Sequence, residues 1–96
     1  MGTLENKIAI ITGAGSGIGR ACAELFVAQG ARVLLAGRRE APLQELARTL
    51  GEEKASYVAV DVTRPEDNAR LFEAARNKFG GCDIFIASAV RRGSPN

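Results

Sequence analysis

The run Ile8-Ala9-Ile10-Ile11-Thr12-Gly13-Ala14-Gly15-Ser16-Gly17-Ile18-Gly19-Arg20 constrains the fold more than any other part of this 96-residue chain. A short apolar stretch rich in β-branched residues leads into closely spaced glycines, and a helix-compatible pattern follows without a break. Strand, tight turn and helix in that order form the first half of a βαβ unit, whose strands lie parallel because the helix crosses over between them. The spacing of Ile18, Cys22, Leu25 and Phe26 puts them on one helical face, which is expected to lie on the sheet.

The rest of the chain repeats the alternation. Residues 7–12 read as a first strand and 17–29 as a first helix, with Gly30 where a left-handed cap is expected. Residues 31–36 read as a second strand. A second helix over 40–50 carries Leu43, Leu46, Ala47 and Leu50 at i, i+3, i+4, i+7; Pro42 fits only in its first turn and Gly51 ends it. Residues 56–60 read as a third strand. Thr63-Arg64-Pro65-Glu66 has the form of a capping box with Thr63 as N-cap. The third helix then runs to about residue 78, burying Phe72, Ala75 and Phe79, and stops at Gly80-Gly81. Residues 83–87 read as a fourth strand.

These strands are near-continuous apolar runs, the pattern of a parallel sheet covered on both faces. Right-handed crossovers give the strand order 3-2-1-4, with the switch point between strands 1 and 4, where ligands of open α/β sheets bind. The expected architecture is a Rossmann-like, three-layer α/β/α fold, truncated after the fourth strand. Residues 1–90 form one partial domain and 91–96 a disordered tail, because Arg91-Arg92-Gly93-Ser94-Pro95-Asn96 has no apolar pattern.

Bulk properties exclude several function classes. A net charge of +2, spread along the chain, argues against a nucleic-acid partner. No apolar run approaches the roughly 20 residues of a membrane span, and the N-terminus lacks a signal-peptide pattern, so a cytoplasmic protein without membrane contact is expected. There is no histidine, and Cys22 and Cys82 stand apart, so no metal site is expected. Cys22 is expected to be a small buried hydrophobe.

The glycine run does not have the GxGxxG form: counting from Gly13 the third glycine position holds Ile18, and from Gly15 it holds Arg20. What stands is Thr12-Gly13-x-x-x-Gly17-x-Gly19. Glycines so placed permit a sharp turn, close approach of a phosphate and tight packing of helix on strand. The unsatisfied N–H groups of the first helical turn, at the positive end of the helix dipole, suit a pyrophosphate. In this pattern the chain resembles the short-chain dehydrogenase/reductase family. The resemblance implies that Gly13, Ser16, Gly17, Ile18 and Gly19 hold a dinucleotide cofactor.

Folds of this kind that prefer NAD place an acid at the end of strand 2, to bond the ribose 2′-OH. Gly37 stands there, followed by Arg38 and Arg39. No carboxylate repels a 2′-phosphate and two guanidiniums can bind it, so NADP(H) is the expected cofactor, with NAD(H) as the lesser alternative. The bland alternative is a solvated arginine pair at the start of the second helix, where a cation is unwelcome. By the resemblance, Asp61 contacts the adenine amino group and the Val62 N–H contacts the ring.

The family closes strand 4 with Asn-Asn-Ala-Gly, whereas this chain has Ala87-Ser88-Ala89-Val90. Ala89 matches. Ala87 can still offer its backbone to the cofactor ribose, and the Cβ of Val90 narrows the space beside it. A disrupted reading frame or a premature stop is expected to lie behind this departure. The family's catalytic serine and Tyr-x-x-x-Lys have no counterpart either. The only tyrosine is Tyr57, and Asp61 stands four residues on.

The resemblance therefore implies the cofactor-binding part of an oxidoreductase acting on an alcohol or carbonyl substrate. The chain itself is expected to be inactive, and its intact parent to be an oligomer. The alternative is a stand-alone nucleotide-binding or interaction module.

Overall fold

The computed structural model describes residues 3–14 and 17–87. Within them strands and helices alternate: β1 (Ile8–Thr12), α1 (Gly17–Ala28), β2 (Arg32–Gly37), α2 (Glu40–Leu50), β3 (Ala55–Ala59), α3 (Pro65–Phe79) and β4 (Ile84–Ala87). The strands form one parallel sheet in the order β3-β2-β1-β4, as the crossover rules require. Expectations for Ser16, for Ser88, Ala89 and Val90, and for the tail 91–96 fall outside the described residues.

Alternation along β1 and β2 divides the core into two layers. Ala9, Ile11, Val33 and Leu35 face α1 and α2, where they join Ala23, Leu43, Leu46 and Ala47. Ile10, Leu34 and Ala36 face the other way, onto Leu71 and Ala75 of α3. Both central strands are buried on both faces, which is why their sequences are apolar without a break. The flanking strands β3 and β4 are only partly covered. Cys22 is half-buried and packs against the first layer.

The helix phases differ from the expected ones. Ile18 is 63% and Leu25 57% exposed, whereas Gly19 and Ala23 are the buried residues of α1, with Cys22, Phe26 and Val27 packed at the margin of the core. A Cβ on residue 19 would stand 2.2 Å from the Gly13 carbonyl oxygen. The helix therefore lies directly on the β1 turn through its smallest residues, and the bulky side chains are rotated outward. Likewise α3 buries Leu71 and Ala75, and Phe79 packs against that layer, but Phe72 is 44% exposed. Its ring meets Phe85 of β4, centroid to centroid, at 5.4 Å.

The N-cap of α3 is Arg64, not Thr63, and no side chain caps it. The Thr63 hydroxyl donates instead to Asp61 Oδ1 at 2.6 Å, so the expected capping box does not form. Elsewhere the boundaries move by a residue: β1, α1, β2, β3 and β4 each start or end one position from the reading above. Gly30, Gly51 and Gly80 follow the three helices with positive φ, as expected. The sheet's lower end is tied by Asp83, whose Oδ2 accepts the Ile8 N–H at 2.9 Å while its own N–H donates to the Ile8 carbonyl at 2.7 Å.

Candidate cofactor-binding edge

Strand register places the described candidate residues at, or just beyond, one edge of the sheet. Thr12 is level with Ala36 of β2 and Ala87 of β4, and Gly37 is level with Ala59 of β3. The loops that leave this C-terminal edge are knitted across strands: Ala14 N–H donates to the Ala36 carbonyl at 3.3 Å, and Val60 N–H to the Gly37 carbonyl at 2.8 Å. The Thr12 hydroxyl reaches the Ile86 carbonyl at 3.4 Å, linking β1 to β4 at the point where the chain switches direction across the sheet.

Three of the glycine positions take distinct roles in the turn from β1 into α1. Gly13 has φ +66, a left-handed conformation that a residue without Cβ adopts at no steric cost. Gly19 is buried and lets α1 touch the turn. Gly17 is exposed, and a Cβ there would meet nothing within 4 Å, so space is open at the first residue of the helix. Ile18 also lies outward. The first turn of α1 carries no acidic side chain. An anion approaching the N–H groups of residues 17–19 therefore meets a helix dipole, open space and no opposing carboxylate.

At the end of β2 both arginines are exposed, and Arg39 is the N-cap of α2 with no side-chain cap bond. Glu40, the acid nearest them in sequence, accepts a hydrogen bond from the Tyr57 hydroxyl at 3.4 Å. The edge is electrostatically connected: the Asp61 carboxyl is held below its ordinary value first by the Thr63 hydroxyl, then by the Thr63 N–H, with Arg38 and Arg64 adding to the effect against partial desolvation. The Thr63 hydrogen bonds thus favour the ionised form of Asp61. The Val62 side chain packs on the α3 layer. Its N–H takes part in none of the hydrogen bonds that hold this loop to α3.

The structure gathers Gly13, Gly17, Ile18 and Gly19 at the turn from β1 into α1, and Arg38 adds to the lowering of Asp61. Ala87 lies on the far side of β1, and Ser16 is outside the described residues. Two residues went unread in the sequence. Asp67 accepts the Asp61 N–H at 2.7 Å, and Asn68 donates to the Val62 carbonyl at 2.8 Å. Their signal was there, as polar residues in the first turns of α3, but the capping-box pattern drew the reading to Glu66. Among the described residues there is no metal-capable cluster of three His, Cys, Asp or Glu side chains. Among the same residues no helix is long and apolar enough to cross a membrane.

A parallel sheet in this order, with a glycine turn packed under the first helix and its loops gathered at one edge, is a Rossmann-like α/β/α arrangement. The chain belongs to the short-chain dehydrogenase family, whose model matches residues 7–95. An uncharacterised oxidoreductase of Staphylococcus aureus (strain MRSA252) is 47% identical over 89 residues, 93% of this chain and 38% of that protein. One from Listeria monocytogenes is 41% identical, over 97% of this chain and 39% of its own length.

Solved structures agree. A short-chain dehydrogenase/reductase from Brucella melitensis, described as a glucose/ribitol dehydrogenase, superposes with a TM-score of 0.90 at 32% identity, over 98% of this chain and 40% of its own. The 3-ketoacyl-(acyl-carrier-protein) reductase of the same organism, complexed with NADH, gives 0.83 at 41% identity, over 86% and 34%. The chain thus spans about two fifths of the length of the relatives it matches.

Proposed function

We propose that this chain is the NADP(H)-binding part of a short-chain dehydrogenase/reductase that acts on an alcohol or carbonyl substrate, and that these 96 residues do not catalyse the reaction themselves. Gly13, Gly17, Ile18 and Gly19, with Ser16 between them, would hold the pyrophosphate. Arg38 and Arg39 would hold the 2′-phosphate, Asp61 and the Val62 N–H the adenine, and the Ala87 backbone the second ribose. The cofactor would supply or accept a hydride; the residues of this chain bind and orient it. The observation that carries the NADP(H) reading is the end of β2: Gly37 where an acid would meet the ribose 2′-OH, followed by two exposed guanidiniums.

The proposed inactivity rests on the residue inventory. The sole tyrosine, Tyr57, sits on β3, its hydroxyl turned to Glu40, and no lysine follows four residues on. A lysine-lowered tyrosine acting as general acid or base therefore has no counterpart here. Residues 1–90 act in this reading as one partial domain.

The test is calorimetric titration with NADPH and NADH. The wild type favours NADPH. In Arg38→Asp the ratio moves toward NADH by roughly tenfold or more, since a charge-assisted contact becomes a repulsion. An unchanged ratio would sink the 2′-phosphate assignment. NADPH-dependent reduction of any carbonyl by the purified chain would refute the claim of inactivity.

A further inference from the structure

Two side chains reach back from α3 onto the loop that follows β3, and the reading above gives them no part. Asp67 Oδ2 accepts the Asp61 N–H at 2.7 Å, and its Oδ1 pairs with Arg70 at 3.2 Å, so both oxygens are engaged. Asn68 Nδ2 donates to the Val62 carbonyl at 2.8 Å and to the Arg64 carbonyl at 3.3 Å. Both residues are partly buried, and the Val62 side chain is seated on the same α3 layer. Thr63 then fixes the Asp61 side chain, giving its N–H and hydroxyl to one carboxylate oxygen, Oδ1. Two groups on successive residues take part in none of these bonds. One is the Val62 N–H, a donor, and the other is Asp61 Oδ2, an acceptor.

A donor beside an acceptor is complementary to the Watson–Crick edge of adenine, which offers a ring nitrogen acceptor next to an amino donor. Hypoxanthine offers the inverse pair. We infer that Asp67 and Asn68 are positioning residues for base recognition, holding the 61–64 loop so that the Val62 N–H and Asp61 Oδ2 select adenine over hypoxanthine. This rests on the assignment of Asp61 and Val62 to the cofactor base. Asp67 also pairs with Arg70 along the helix, but each of the two side chains makes a bond to the loop main chain that helix stability alone does not require.

The test compares the wild-type 96-residue chain with Asp67→Ala, Asn68→Ala and Asp67→Asn. Affinities for NADPH and for its hypoxanthine counterpart are measured by calorimetry, and amide hydrogen exchange is measured without nucleotide. The wild type is expected to prefer the adenine form by roughly tenfold, the worth of one hydrogen bond to a charged group. In both alanine variants the preference falls to about twofold or less, while affinity for the hypoxanthine form is nearly unchanged. Asp67→Asn, which keeps an acceptor, recovers most of it.

In the nucleotide-free Asp67→Ala chain the Asp61 and Thr63 amides exchange faster, whereas β1 and β2 amides keep their protection, which separates a loosened loop from a loosened fold. Undiminished preference in both alanine variants would overturn the inference, as would an equal loss of affinity for both nucleotides. A wild type that binds both forms alike overturns the adenine assignment, and this inference with it.

Discussion

Two glycines two positions apart in α1 should respond to the same substitution with opposite signs. A Cβ on residue 19 would lie 2.2 Å from the Gly13 carbonyl oxygen, 2.7 Å from its carbon and 2.8 Å from Ala14 Cα. All three are main-chain atoms of the turn leaving β1, a strand paired on both sides, so no side chain can rotate away. Relief to an ordinary contact of about 3.5 Å requires a shift of roughly 1 Å of α1 against the sheet. Overpacking of this kind costs about 1–3 kcal/mol, and the helix-propensity gain of alanine over glycine returns up to about 1 kcal/mol. Because every clash is with backbone, Gly19→Ala is expected near the top of that range, a net loss of about 2 kcal/mol and a fall in Tm of roughly 10 °C or more.

At residue 17 nothing lies within 4 Å of the added Cβ. Gly17→Ala should therefore stabilise by about 0.5 kcal/mol, chiefly by restricting the unfolded chain. If the open space at residue 17 admits a cofactor phosphate, the same variant binds NADPH more weakly although it folds more stably. Urea unfolding followed by circular dichroism, with thermal melts alongside, decides the matter. Gly19→Ala within about 0.5 kcal/mol of wild type would refute the close-packing argument, as would a loss beyond about 1 kcal/mol for Gly17→Ala.

The remaining expectations concern α3 and the loop before it. Leu71→Ala removes a fully buried side chain and should cost about 2–4 kcal/mol, whereas Phe72→Ala, half-exposed on the β4 side, should cost about 1 kcal/mol. The reverse order in chemical denaturation would mean that the helix is rotated from the phase described. Asp61 titrates below its ordinary 3.8 in the folded chain, so its stabilising contribution is present above that value and is lost as pH falls through the lower folded one. The difference in urea midpoint between wild type and Asp61→Asn should accordingly be full near neutrality and shrink in acid. A difference that grows on acidification would contradict the hydrogen bonds from Thr63.

Much of the fold is legible because its signals are local. The glycines from Gly13 to Gly19 mark the turn between β1 and α1, and Gly30, Gly51 and Gly80 mark helix ends through conformations that other residues adopt with strain. Apolar runs without alternation identify strands covered on both faces, and the handedness of crossovers then leaves one strand order. The candidate cradle and the arginines after Gly37 are likewise contiguous in sequence, so they are read where they stand.

The sequence by itself determined the alternation of elements, the parallel sheet order and the family. Only the tertiary structure decided which side of each helix is inside. Periodicity gives the spacing of apolar residues but not the rotational phase of the helix. In α1 that phase is set by how closely Gly19 and Ala23 can approach the sheet, which favours the smallest side chains over Ile18 and Leu25. In α3 it is set by the layer formed by Ile10 and Leu34, which takes Leu71 and leaves Phe72 to Phe85.

Partner choice among polar groups was equally beyond the sequence. Thr63 could cap a helix or hold Asp61, and it holds Asp61. Asp67 and Asn68 could face solvent, yet they secure the loop that carries the candidate base contacts. A hydrogen bond depends on where two groups stand in space, and residues six apart in sequence meet here only because α3 folds back beneath the end of β3.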